Sequence, residues 1–238
     1  MSIGSVVSTS RAALKREHAR RAFILESAEL LKLDELFKQF FSTVYYEVGF
    51  GDRIEERFED VTCVTRLENP VNRRIVSIGV YGDSGFEKSG SLIFEDGYFG
   101  ASNIQVHLRG STSLVKELNE AIAVCLSGMR PWYALLSERS LLIQSFVLSL
   151  ALAFSVWVIS WDLLSLEGPI LAGVTLAAFF VGYFSSPKFI EWFFPVSVFS
   201  IGQGIKRFGC VKTRRNFFWL YILYPIVRNL PGRLPRFF

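Results

Sequence analysis

The chain has 238 residues, 50% of them hydrophobic, with 26 Lys and Arg against 22 Asp and Glu and a formal net charge of +4. Its three cysteines, Cys63, Cys125 and Cys210, are odd in number and far apart, which excludes a disulfide framework and a CxxC metal or redox motif. Internal repeats and low-complexity tracts are absent, and the average hides a charged first part and an apolar remainder that begins after residue 140.

Met1–Ser10 lacks the apolar core of a cleavable signal. From Arg11 to about Tyr46 no Gly or Pro interrupts the chain, and Leu30, Leu33, Phe37, Phe40, Phe41 and Val44 recur at three- and four-residue steps. This spacing predicts one long helix with an apolar stripe on its second half. Its first half gathers Arg11, Lys15, Arg16, Arg20 and Arg21. That cluster is either a solvated helix end or a cationic surface for an anionic nucleotide, an oligonucleotide or an acidic protein partner.

Gly49-Phe50-Gly51 ends this helix, and Val61–Leu67, Arg74–Tyr81, Ser91–Phe94 and Ile104–Leu108 read as short strands of a small antiparallel meander. The acidic run Asp52, Glu55, Glu56, Glu59 and Asp60 reads as a solvated edge. Ser111 to Ser113 supply helix caps, and Val115, Leu118, Ile122, Cys125, Leu126 and Met129 repeat with helical spacing. Arg109, just before that helix start, is a further candidate for holding an anion. Pro131 breaks the helix, and Trp132 and Tyr133 are types enriched at a membrane interface.

Leu141–Ile159 and Gly168–Ser186 carry no Asp, Glu, Lys or Arg, a length and composition that predict a transmembrane hairpin around Trp161. Gln144, Ser145, Ser149 and Ser160 form a small, partly polar side of the first span, which either packs on another helix or lines a water path. Gly173 with Ala177, and Ala178 with Gly182, are small-residue pairs suited to helix contact or an oligomer. Beyond the hairpin, Lys206, Arg207, Lys212, Arg214 and Arg215 are expected at headgroup level. Residues 196–201 have a period near two and read as an extra strand, and 216–230 as an interfacial or partly inserted helix, with a short third span as the alternative.

The expected architecture is therefore an α+β cytoplasmic domain over 1–135, with a long N-terminal helix, a small antiparallel sheet and one further helix. An α-helical transmembrane hairpin follows over 136–187, and a basic membrane-associated segment over 188–238. The Lys and Arg distribution places both termini in the cytoplasm of a multi-pass inner-membrane protein. No catalytic motif, metal cluster or cofactor fingerprint is present, so no enzyme, metal or cofactor is expected.

In layout, a cytoplasmic sensor-like domain joined by the Trp132-Tyr133 collar to a small membrane module resembles bacterial membrane effectors of antiviral defence systems. The resemblance implies a lipid-bound homo-oligomer, a ligand-gated pore or ion channel or a membrane-disrupting effector, controlled by a nucleotide or protein signal at the soluble domain. The competing expectation is a membrane-anchored adaptor that recruits a partner.

Overall fold

The computed structural model describes residues 12–86, 88–97, 102–138, 191–217 and 220. The chain divides into two compact units, Met1–Ser140 with Pro195–Ile205, and Leu141–Phe194 with Lys206–Phe238. The first is a mixed α/β domain. In chain order it contains β1 (Ala12–Ala19), β2 (Phe23–Glu26), α1 (Ser27–Phe40), β3 (Thr43–Phe50), β4 (Glu55–Phe58) and α2 (Val61–Thr65). Then come β5 (Ile75–Asp83), β6 (Ser89–Glu95), β7 (Ile104–Ser111), α3 (Thr112–Gly128), α4 (Ala134–Glu138) and β8 (Ser197–Ser200). Helix α5 (Gln203–Phe217) begins at the end of this unit and continues into the second.

Six strands form an antiparallel sheet in the order β1-β7-β6-β5-β3-β4, and β2 pairs in parallel with β8 in a separate two-stranded sheet. Side chains alternate between sheet faces with period two. Ile104, Val106 and Leu108 of β7 are buried, as are Leu92 and Phe94 of β6, Ile78 and Val80 of β5, and Tyr46, Val48 and Phe50 of β3. They pack with Leu30, Leu33 and Phe37 of α1 and Val115, Leu118 and Ile122 of α3 into one core. Each such side chain contributes about 1.5–3 kcal/mol when fully buried. One polar pair enters this layer: the Tyr46 hydroxyl donates to Asp34 Oδ1 at 2.5 Å, and Lys38 Nζ donates to Asp34 Oδ2 at 2.8 Å. Burial first, and the Asp34 carboxylate second, push the Tyr46 hydroxyl well above its ordinary range, so it remains a donor at neutral pH.

The structure corrects the fold expected from sequence. No single helix runs from Arg11 to Tyr46: β1, β2, α1 and β3 fill that stretch. Only Leu30, Leu33 and Phe37 of the proposed stripe are buried positions of a helix, since Phe41 is the residue after α1 and Val44 lies in β3. Residues 12–19 alternate instead of turning. Ala13, Lys15 and Glu17 face one way and Leu14, Arg16 and His18 the other, which suits a strand lying on the sheet edge. Val61–Thr65 is a helical turn, not a strand, because the Asp60 carboxylate caps it by accepting the Thr62 N–H at 2.9 Å. The sheet is a full six-stranded layer.

The membrane placement is also corrected. Among the described residues no helix is long and apolar enough to cross a membrane. The longest, α3 with 17 residues and α5 with 15, fall short of the roughly 20 apolar residues a span needs and carry charged side chains. The multi-pass inner-membrane location, and the membrane, transmembrane-helix and ion-channel character expected with it, therefore have no support in the described helices. The proposed hairpin over 136–187 lies almost wholly outside the described residues, as does nearly all of 216–230. Of the proposed collar, Trp132 is 66% exposed but Tyr133 is 2% exposed, a core position and not a surface anchor.

Strand β8 returns to the domain from far along the chain and is held by a buried clasp. Asn69 Nδ2 donates to the carbonyls of Ile201 at 3.3 Å and Phe199 at 3.4 Å, and its Oδ1 accepts the Ile75 N–H at 2.9 Å. The Gln203 N–H donates to the Glu68 carbonyl at 2.7 Å. Gly202 stands at φ +53, and a Cβ there would collide with the carbonyl oxygens of Leu67 and Glu68. The proposed strand over 196–201 is thus realised as β8 on β2, not as a further strand of the main sheet. Asn69→Ala removes one partner of buried backbone groups, so it should lower unfolding stability by about 1–3 kcal/mol. Urea unfolding of the full chain measures this, and an unchanged midpoint would refute the clasp.

Candidate functional site

The side of the six-stranded sheet turned away from α1 and α3 carries the polar and aromatic alternates of its strands. Strand register lines them up. Arg16 of β1 pairs with His107 of β7, His107 with Ser91 of β6, Ser91 with Tyr81 of β5, and Tyr81 with Tyr45 of β3. The next row holds Leu14, Arg109, Ser89, Asp83 and Thr43. Apart from Thr43, these two rows line a cavity of about 650 Å³, to which Ala13, Gly82, Gly90 and Leu108 also contribute. That volume suits a small ligand.

The cavity has two unlike walls. On the β5 and β3 side, the Tyr45 and Tyr81 rings stack with centroids 5.0 Å apart and planes at 5°, and the Arg57 guanidinium lies 3.7 Å from the Tyr45 centroid. The Tyr81 ring leans back over Gly79, where any Cβ would strike it. Burial, followed by the neighbouring Glu47 carboxylate, drives the Tyr81 hydroxyl far above its usual range and keeps it neutral. On the β7 and β1 side stand Arg16, Arg109 and His107, with Leu14 at 62% exposure. Between the walls, β6 supplies a floor of small residues, Ser89, Gly90 and Ser91.

Among the described residues neither Arg16 nor Arg109 makes an ion pair, whereas Arg21, Arg73, Arg74 and Arg130 each lie against a carboxylate. Asp83 is the sole acid among the lining residues, and its Oδ1 accepts the Gly85 N–H at 3.1 Å. His107 meets His18 edge-on with ring centroids 5.4 Å apart, and its Nε2 is closed off without a hydrogen-bond partner among the described residues. Burial above all, with the nearby His18 and Arg16, lowers the His107 pKa, so its ring is neutral at pH 7.

The residues proposed from sequence separate in space. Arg16 and Arg109 converge on the cavity. Lys15 points to the opposite face, where its Nζ donates to Asn119 Oδ1 at 2.6 Å and pairs with Glu17 at 2.8 Å. Arg21 follows β1 and is fixed by backbone bonds to Asn103, its N–H donating to Oδ1 at 2.9 Å and its carbonyl accepting from Nδ2 at 2.7 Å. Arg20 lies half-buried in the connection between β1 and β2, outside the cavity lining. Arg11, Gln144, Ser145, Ser149, Ser160, Trp161, Gly173, Ala177, Ala178 and Gly182 lie outside the described residues. Lys206, Arg207, Lys212, Arg214 and Arg215 all fall on α5; Lys212 Nζ sits 4.6 Å from the Phe208 ring centroid, Arg214 lies 4.4 Å over Trp192, and Arg215 is buried.

Sequence reasoning missed Tyr45, Tyr81, Ser89 and Ser91. The signal was their position as the outward alternates beside Tyr46, Val80, Gly90 and Leu92. No group of three or more His, Cys, Asp or Glu able to hold a metal ion occurs among the described residues. Compared with protein-family models, curated proteins and solved structures, the chain shows no match to any of them.

Because Arg16 contributes to the lowered His107 pKa, Arg16→Gln should move the His107 titration upward, toward its ordinary value of about 6.5. Imidazole NMR titration reads this directly, and a downward or absent shift would separate the two residues.

Proposed function

We propose that this chain is a non-catalytic receiver module that binds an anionic small ligand in the open-face cavity. The observation that carries the reading is the convergence of Arg16 and Arg109, from strands distant in sequence, on one cavity where neither has an acidic partner among the described residues. Their positions on adjacent strands are diagonal, a separation of roughly 7–8 Å between backbones that two phosphate or carboxylate groups can bridge. Guanidinium groups suit such anions because their planar donors engage oxygen pairs bidentately. Among the described residues the cavity lining holds no paired carboxylates, no hydrogen-bonded nucleophile and base, and no group of three metal-ligating side chains from which to build catalysis.

Signal reception is the part of the sequence expectation that this reading keeps. The pore, the anchor and the likeness to membrane effectors depend on a membrane placement that the described helices do not support, and they are not carried forward.

Titration calorimetry of the full chain with inorganic tripolyphosphate tests the reading. Binding should be measurable at low salt and should weaken as salt rises. In the Arg16→Glu, Arg109→Glu double variant it should fall at least about tenfold, equivalent to 1.4 kcal/mol or more. Equal affinity in the double variant, or heat indistinguishable from dilution in the parent, would overturn it.

A further inference from the structure

The anion-binding reading leaves the aromatic wall unexplained, and that wall defines the ligand more narrowly. We propose that the ligand is a nucleotide whose base stacks between Tyr81 and His107 above Ser91, while its phosphates lie against Arg16 and Arg109. This deepens the proposed function and rests on it.

Three features of the sheet lead there. The first is spacing. Tyr81 and His107 share one register row with only β6 between their strands. Adjacent strands lie 4.7–4.9 Å apart, so the two positions are separated by about 9.5 Å, which admits one planar ring at about 4.7 Å from each neighbour. The residue between them in the row is Ser91, whose small side chain lines the cavity and offers a hydroxyl to a base edge or a ribose.

The second is rigidity. Tyr81 is backed by Tyr45, and Tyr45 in turn by the Arg57 guanidinium, so the ring presents a supported wall. Its placement over Gly79 is fixed by the missing Cβ there. A platform of this kind favours stacking because little side-chain freedom is lost on binding.

The third is segregation of charge. The aromatic wall and the two arginines occupy opposite sides of the β6 floor. A nucleotide has the same division, with a flat base at one end and phosphate oxygens at the other. Inorganic phosphates would use the arginines alone, and an uncharged aromatic molecule would use the tyrosine alone.

Calorimetry of the full chain with ATP, GTP, CTP, UTP and inorganic tripolyphosphate decides the matter. At least one nucleoside triphosphate should bind about tenfold or more tightly than tripolyphosphate. Tyr81→Leu, which retains apolar bulk without a planar ring, should erase that margin and leave tripolyphosphate affinity unchanged. Ser91→Trp, which fills the gap from the floor, should do the same, and thermal midpoints of both variants establish that they are folded. If tripolyphosphate binds as well as every nucleotide, or if the margin survives both substitutions, the inference is overturned while the anion site stands. If neither probe binds, both readings fall.

Discussion

A strand sends alternate side chains to opposite sides of a sheet, and in this domain the described helices α1 and α3 pack on only one of those sides. Everything else depends on that asymmetry. Ile104, Val106 and Leu108 are buried because they face the helices, and Gln105, His107 and Arg109, one residue out of step, are not. The same phase holds in β6, where Leu92 and Phe94 alternate with Ser91 and Ile93. Because a one-residue slip would exchange the two sets, the core that fixes the register also fixes which polar residues meet on the other face. The cavity is therefore a consequence of core packing, assembled without any loop to carry it.

The domain is completed from a distance. Strand β8 follows the second unit's Leu141–Phe194 in sequence yet lies beside β2, where Phe199 packs against Phe23 and the Asn69 side chain satisfies carbonyls of Phe199 and Ile201. A buried asparagine in this position is specific in a way that a leucine is not, since its two donors and its acceptor are matched to particular backbone groups. Asn69 itself adopts φ +49, a conformation asparagine tolerates better than most residues.

Much of the central sheet was legible because Ile75–Asp83, Ser89–Glu95 and Ile104–Ser111 hold short apolar or alternating runs bounded by turn residues. Helix α3 was legible from its serine cap and its apolar spacing. The amino-terminal region was not. Its strand β1 has charged residues on both faces, Lys15 and Glu17 toward α3 and Arg16 toward the cavity, so neither period dominates the hydrophobicity. The junction between α1 and β3 contains neither Gly nor Pro, and Phe41 closes the helix through its own N–H to the Phe37 carbonyl. From sequence, Arg16 stood out for its charge and Arg109 for its place before a helix start, and only strand pairing shows that they share a site. The aromatic wall was illegible for a related reason: Tyr45 and Tyr46 are adjacent, and nothing local states which one turns inward to meet Asp34.

The central claim is that the sheet face turned away from α1 and α3 receives a ligand. Backbone hydrogen–deuterium exchange of the full chain with and without a saturating nucleoside triphosphate tests it most directly, because no substitution is needed. The account predicts slowed exchange within Ser89–Glu95 and Ile104–Ser111, with Ala12–Ala19 following, and little change in α2 or β4. Protection confined to α5 or to the acidic β4 edge, with β6 and β7 unaltered, would contradict it.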